Sequence, residues 1–376
     1  MPSRRYFIDN LRIFATCLVV LHHLSMSYGA TGDWYYVEGA PEHIVPQVLL
    51  TLFTSTNQAF FMGLFFFLSA FFVGSSYDRK GFSLFLRDRL VRLGIPMVAT
   101  IFLLNPIVGY IAYRITEDDQ ATTSLFEYIS SGHGQGLGPM WFVETLILFS
   151  VVYAALRRYR SNDPEEAPKN PKPSEPRIVL FILGLGVVTG LVRTLFSVND
   201  WVPYFHLQLA HFPQYILMMW AGVSAAKHGW LEPISSAWGW RWLGIAFGFI
   251  VVVFPTLFFL GGAASGNLEP FMGGWHWQSF AYALYEQIVG ISMILGLLGV
   301  FKGILNVSNP FLTALSGSAY AVYVFHSIII LSVSWAAAPL KTGMLTKFII
   351  LAGPSLAACF LFGWLIRKAP FVSKIL

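Results

Sequence analysis

Ten apolar runs of about twenty residues each decide what this chain can fold into. They fall near 8–28, 46–75, 94–113, 140–156, 178–198, 205–226, 242–261, 278–301, 311–334 and 345–366. A bilayer interior offers the backbone no water, so each crossing segment must satisfy its own N–H and C=O groups, and a helix does that alone. The expected fold is an all-α, polytopic membrane bundle of about ten transmembrane helices. Charged residues make up only 11% of the 376, against about 25% in a soluble domain.

An even number of spans puts both termini on one side. That arrangement places 20 of the 24 Lys and Arg on or near the side of the termini, with Arg114, Arg193, Lys341 and Lys347 as the exceptions. The bias predicts cytoplasmic termini and accounts for the net charge of +5 without calling on nucleic acid. The outer loops then carry Asp33, Glu38, Glu42, Glu117, Asp118 and Asp119. No small-residue cleavage site follows the first run, which reads as a retained span and not a signal peptide. Five prolines and mixed charges across 157–177 read as a disordered cytoplasmic loop within one membrane domain covering 1–376. Nothing after 367 is long enough for a second domain. Cys17 and Cys359 both lie in spans and make neither a disulfide framework nor a CxxC metal site.

The first run is the most informative for chemistry. It is apolar, yet it holds Asp9, Arg12, His22 and His23. Titratable groups cost several kcal/mol in hydrocarbon and usually line a protein-walled interior. At about 100° and 1.5 Å per residue, Arg12 and His23 lie within roughly 20° of one helix face, about 16 Å apart along the axis. His22 points about 80° away from Arg12. An imidazole titrates near neutral pH, so His23 suits a general base, or a transient acyl carrier, in a membrane-embedded cavity. The competing reading is a histidine that packs between helices.

Other candidates are looser. Arg89 and Arg92 stand at i and i+3 before Pro96, as a phosphate clamp or as positive-inside anchors. Glu144 and Glu286 lie within apparent spans, where each suits orienting an imidazole or pairing with Arg193. His326 is a further buried titratable group and reads as packing. His206 and His211 are five apart, which is not metal-ligand spacing, and HExxH, EF-hand, GxSxG, GxGxxG and P-loop patterns are missing. Trp34, Tyr35, Tyr36, Trp275 and Trp277 read as an interfacial aromatic belt.

Taken in order, these residues resemble the acyltransferase 3 family of membrane O-acyltransferases. The resemblance rests on Arg12-x10-His23, on FFFLSAFFVG at 65–74, on FLRDRLVRLGIP at 85–96 and on WFVETLILF at 141–149. It continues through HFPQYILMMWAGVSAAKHGWLE at 211–232, SAYAVYVFHSIII at 318–330 and the closing LIRKAPFVSKIL. The look is nearest to the branch that includes glucan-modifying succinyltransferases. Ala70 stands where the family has glycine, and the extra hydrolase-like domain that many members carry is missing. The resemblance implies transfer of an acetyl or succinyl group from cytoplasmic acyl-coenzyme A to a hydroxyl of a sugar or glycan at the outer face of the cytoplasmic membrane. It implies no bound cofactor beyond that co-substrate. Arg12, Arg89 and Arg92 would hold the coenzyme phosphates, with Ser69 in the donor site. His23 would be the base, with Glu144 or Glu286 orienting it. A different class also fits ten spans with buried charge: a transporter or flippase for a polar lipid or glycan. That class should show repeat symmetry, and no inverted repeat is evident.

Overall fold

The structure is a computed structural model, and it describes the chain except for residues 1–3, 40–43, 118–122, 135, 160–171 and 204. Among the described residues there is no strand beyond an isolated bridge between Val202 and Leu207. The α-helices are α1 (Tyr6–Ser27), α2 (Ile44–Arg89), α3 (Ile95–Ala99), α4 (Asn105–Glu117), α5 (Leu125–Ser130), α6 (Trp141–Tyr159) and α7 (Glu175–Arg193). They continue as α8 (Phe212–His228), α9 (Ser236–Gly248), α10 (Phe254–Leu260), α11 (Glu269–Met272), α12 (Trp277–Ile304), α13 (Pro310–Ala336) and α14 (Met344–Ile366).

Among the described residues, eight helical stretches are long and apolar enough to cross a membrane, and the chain is a polytopic helical membrane protein. One of the eight, Ile44–Thr116, covers two of the expected runs. It is broken at Gly81, whose φ of 70° and ψ of 177° lie where only glycine is comfortable. The expected run at 205–226 appears as α8, 17 residues long. The expected linker at 157–177 is narrower at both ends, because α6 runs to Tyr159 and α7 starts at Glu175. Its centre lies outside the described residues, as do Glu42, Asp118 and Asp119.

Three π-helical turns interrupt the spans, at Leu90–Gly94, Thr100–Leu104 and Phe249–Val253. Each is followed two residues later by a proline: Pro96, Pro106 and Pro255. Proline has no N–H to give the carbonyl four residues back, and its ring crowds that carbonyl, so the ladder widens there.

The chain divides into two compact units. The first comprises residues 1–11, 58–87 and 148–307. Here α12 packs against α9 and α7. The α9 contact is close because both sides are small: a Cβ on Gly239 would lie 2.7 Å from the Gly296 carbonyl oxygen. Without a hydrophobic drive between helices in lipid, such small-residue contacts carry association. The same device answers the Ala70 departure. Ala70 is fully buried, and the close approach is supplied from α8, where a Cβ on Gly222 would meet the Phe67 carbonyl oxygen at 2.3 Å.

The second unit comprises residues 12–57, 88–147 and 308–376. In it α13 packs against α14 and α4. Ile13, Val20, Leu24 and Tyr28 of the N-terminal segment join Val322, Ile330, Leu351, Cys359 and Phe360 in its core. Lys347, in the first turn of α14, is fully buried and donates to both Glu38 carboxylate oxygens at 2.8 and 2.7 Å.

Candidate active site

The second unit brings two imidazoles together. His23 Nδ1 lies 2.9 Å from the carbonyl oxygen of Val19, one turn back on α1. His326 Nδ1 lies 2.6 Å from the carbonyl oxygen of Tyr323, three residues back on α13. A carbonyl only accepts, so each Nδ1 carries the proton. His326 Nε2 is then a lone pair, and it sits 3.1 Å from His23 Nδ1. The His23 N–H is shared between Val19 and His326, and the remaining nitrogen, His23 Nε2, holds a lone pair. This is the tautomer a general base needs. The ring centroids are 4.8 Å apart, and His326 is fully buried while His23 is half-buried. His22 is buried and meets His23 edge-on at 5.3 Å.

The side chain that faces His23 Nδ1 is His326. Glu144 opens α6, and its buried Oε2 has no partner among the described residues. Glu286 belongs to the first unit, on α12, where it accepts from Arg193 Nη2 and lies 3.4 Å from His211 Nδ1. Arg193 and Glu286 are both buried. The alternative pairing of Glu286 with Arg193 is therefore the one that forms, and the imidazole beside Glu286 is that of His211. Arg193 and Lys347 are the two fully buried members of the four cations that stood apart in the charge count, and each has a carboxylate partner.

The aromatic belt also needs correction at Trp34. Its indole stacks on His23 with centroids 4.2 Å apart and planes at 25°, and it lies 6.0 Å from the His326 ring. Trp34 is thus part of the site. Next to it, the Tyr35 hydroxyl donates to Asn105 Oδ1 at 2.8 Å. Burial, and after it Asp33, raises the Tyr35 pKa, which keeps the phenol a donor. Tyr35 lies so close to the Gly138 backbone that a Cβ there would be 2.0 Å from its hydroxyl, and Gly138 also has φ of +49°.

From His326 a ladder of rings runs back along α13. Tyr323 lies 6.0 Å from His326, and Tyr320 stacks 6.4 Å from Tyr323 with planes at 10°. The Tyr323 hydroxyl donates to the Pro139 carbonyl. The Tyr320 hydroxyl donates to the Arg92 carbonyl at 2.9 Å. Arg92 is four residues before Pro96, so this is the carbonyl that proline leaves without its usual N–H. The ladder therefore ends at the arginine segment singled out from the sequence.

Arg89 closes α2 and Arg92 lies within the π turn, so their spacing is no longer that of a regular α-helix; the cause is Pro96. Arg12 remains on α1, half-buried. Ser69 lies on α2 in the first unit, half-buried. Sequence reasoning missed Arg367, whose Nη1 would be 2.5 Å from a Cβ on Gly317, one turn before Tyr320. Only the absence of a side chain at Gly317 lets that guanidinium lie against α13.

Residues 5–364 match the family profile described as acyltransferase domain. Among curated relatives, "Glucans biosynthesis protein C" of Salmonella typhi and of Salmonella typhimurium (strain LT2) are each 26% identical over 195 residues, covering 51% of this chain and 49% of the relative. The protein of the same name from Salmonella schwarzengrund is 25% identical over the same shares. The chain spans about half the length of the curated relatives it matches. No solved structure matches it.

Proposed function

Since this chain belongs to the acyltransferase 3 family, we propose that it is a membrane O-acyltransferase that moves an acetyl or succinyl group from cytoplasmic acyl-coenzyme A to a hydroxyl of a glycan at the outer face, with His23 as its base. The observation that carries this reading is the imidazole pair, in which His23 keeps a lone pair on Nε2 while Nδ1 is held by Val19 and His326. The acceptor oxygen attacks the thioester carbonyl carbon as its proton passes to His23 Nε2. The C–S bond then breaks, and the same proton leaves with the thiolate sulfur as thiol. His23 becomes an imidazolium in between, and its Nδ1–H already has two acceptors facing it. His326 does for His23 what a carboxylate does in other imidazole bases, fixing tautomer and orientation. The glycan acceptor is supported by the name of the similar proteins.

Coenzyme A is polyanionic, and Arg12, Arg89 and Arg92 are the cations proposed to bind its phosphates, with Arg367 joining them at the Gly317 end of α13. Tyr320 and His326 are six residues apart, about 9 Å of helix, a length the pantetheine arm can span. A charge-assisted bond to phosphate contributes about 1.5–3 kcal/mol, so Arg92→Ala should raise the donor Kd roughly 10- to 100-fold. Lysine should rescue only in part, because it lacks the two-pronged guanidinium. Binding of acyl-coenzyme A to purified variants measures this. Unchanged affinity in the Arg12, Arg89, Arg92 and Arg367 alanine variants would remove these cations from the donor site. The proposed topology has cytoplasmic termini. A cysteine replacing Asp33 should react with an impermeant maleimide on intact cells, and one replacing Ser308 should react only after permeabilisation. The reverse pattern would invert the protein in the membrane and separate donor from site.

A further inference from the structure

Trp34 lies over one face of the imidazole that must receive an acceptor hydroxyl. It sits on the segment Tyr28–Gly39, which follows α1 at the end away from the N-terminus. Three contacts hold that segment down. Glu38 N–H donates to the Ser27 carbonyl at 2.9 Å, Tyr35 is anchored on Asn105, and Lys347 grips the Glu38 carboxylate. The indole itself has one polar group to satisfy. Its Nε1–H is buried and has no partner among the described residues. A buried donor left unsatisfied costs about 1–3 kcal/mol, so an oxygen offered to Nε1 favours a different placement of the ring. Ahead of Trp34, Thr31, Gly32 and Asp33 are exposed.

We propose that Trp34 selects the nucleophile, keeping water from His23 until a sugar ring takes up the indole. The inference rests on the acyl-transfer reading. The chemistry of the occupant follows from the residue: one face of a pyranose presents polarised C–H bonds that pack on an aromatic face, and its rim oxygens accept from Nε1–H. Without the indole, water takes the acceptor's place. Water oxygen attacks the thioester carbon, its proton goes to His23 Nε2, the C–S bond breaks, and the products are a carboxylate and free thiol. The Lys347–Glu38 pair is a positioning contact, since it touches neither reactant and acts by holding the segment that carries Trp34.

The test uses the full chain in proteoliposomes with acetyl- or succinyl-coenzyme A. Free thiol release is followed without acceptor, and acyl transfer is followed with a glucose oligosaccharide. Trp34→Ala should raise thiol release without acceptor about tenfold or more and lower the share of acyl groups that reach sugar. Trp34→Phe keeps a ring over His23 but lacks the N–H. It should keep thiol release low and raise the KM for the oligosaccharide with little change in kcat. Glu38→Gln should move in the direction of Trp34→Ala, and a gain in thiol release cannot come from unfolded protein. An unchanged ratio of hydrolysis to transfer in both Trp34→Ala and Glu38→Gln overturns the inference and leaves the acyl-transfer reading standing. A wild-type protein that neither releases thiol nor transfers acyl groups overturns both.

Discussion

Replacing His23 with alanine should lower acyl transfer by about 10²- to 10⁴-fold, the usual worth of a general base, with donor affinity unchanged. On the barrier this is roughly 3–5 kcal/mol. His326→Ala should fall in the same direction, because His23 Nδ1–H loses the lone pair 3.1 Å away and keeps only Val19. His326→Gln offers an amide oxygen to the same N–H and should recover part of the loss, which a role in packing alone does not predict. His22→Ala should lose far less, since that ring meets His23 only by an edge. Initial rates with saturating donor, alongside donor binding on the same preparations, separate these cases. Near-normal turnover in a folded, donor-binding His23→Ala protein moves the base elsewhere, first to His326. Acylated enzyme trapped without acceptor would instead give His23 the role of acyl carrier.

The second large effect lies in the first unit and concerns stability. Arg193→Met should destabilise the protein by about 3–5 kcal/mol, because it strands the buried Glu286 carboxylate. Glu286→Leu should do the same to the guanidinium. The double variant should recover much of the loss, since taking both charges out removes the uncompensated one. Thermal unfolding of the detergent-purified single and double variants measures it. Additive losses would mean that each residue acts through contacts outside the pair.

The spans were legible because apolar residues run on for about 20 positions within one segment. The partner of His23 was not. His326 is 303 positions away, and only the packing of α13 beside α1 in the second unit brings it near. Chemical habit suggested a carboxylate, and Glu286 was spent on Arg193 and His211 instead. The contact of Trp34 with His23 was not legible, because an aromatic in a short loop after a span has the same local signature whether it faces lipid headgroups or turns inward. The two-residue offset between each π turn and its proline was present in the sequence as Pro96, Pro106 and Pro255. Their effect on Arg92 becomes plain only once Tyr320 is seen to donate to its carbonyl.

The ring ladder on α13 has a consequence for anything drawn along it. Tyr320 and Tyr323 each commit a hydroxyl to a backbone carbonyl, one at Arg92 and one at Pro139. If the donor takes the path proposed above, what its arm meets is the flat of each ring. Such a surface gives a slender amide-bearing arm no fixed stations at which to stop, so its movement is smooth and its register is set only at the ends. One end is the arginine cluster, and the other is the imidazole pair. A donor whose arm were a few bonds shorter or longer would slide just as freely, and would arrive with its thioester out of line.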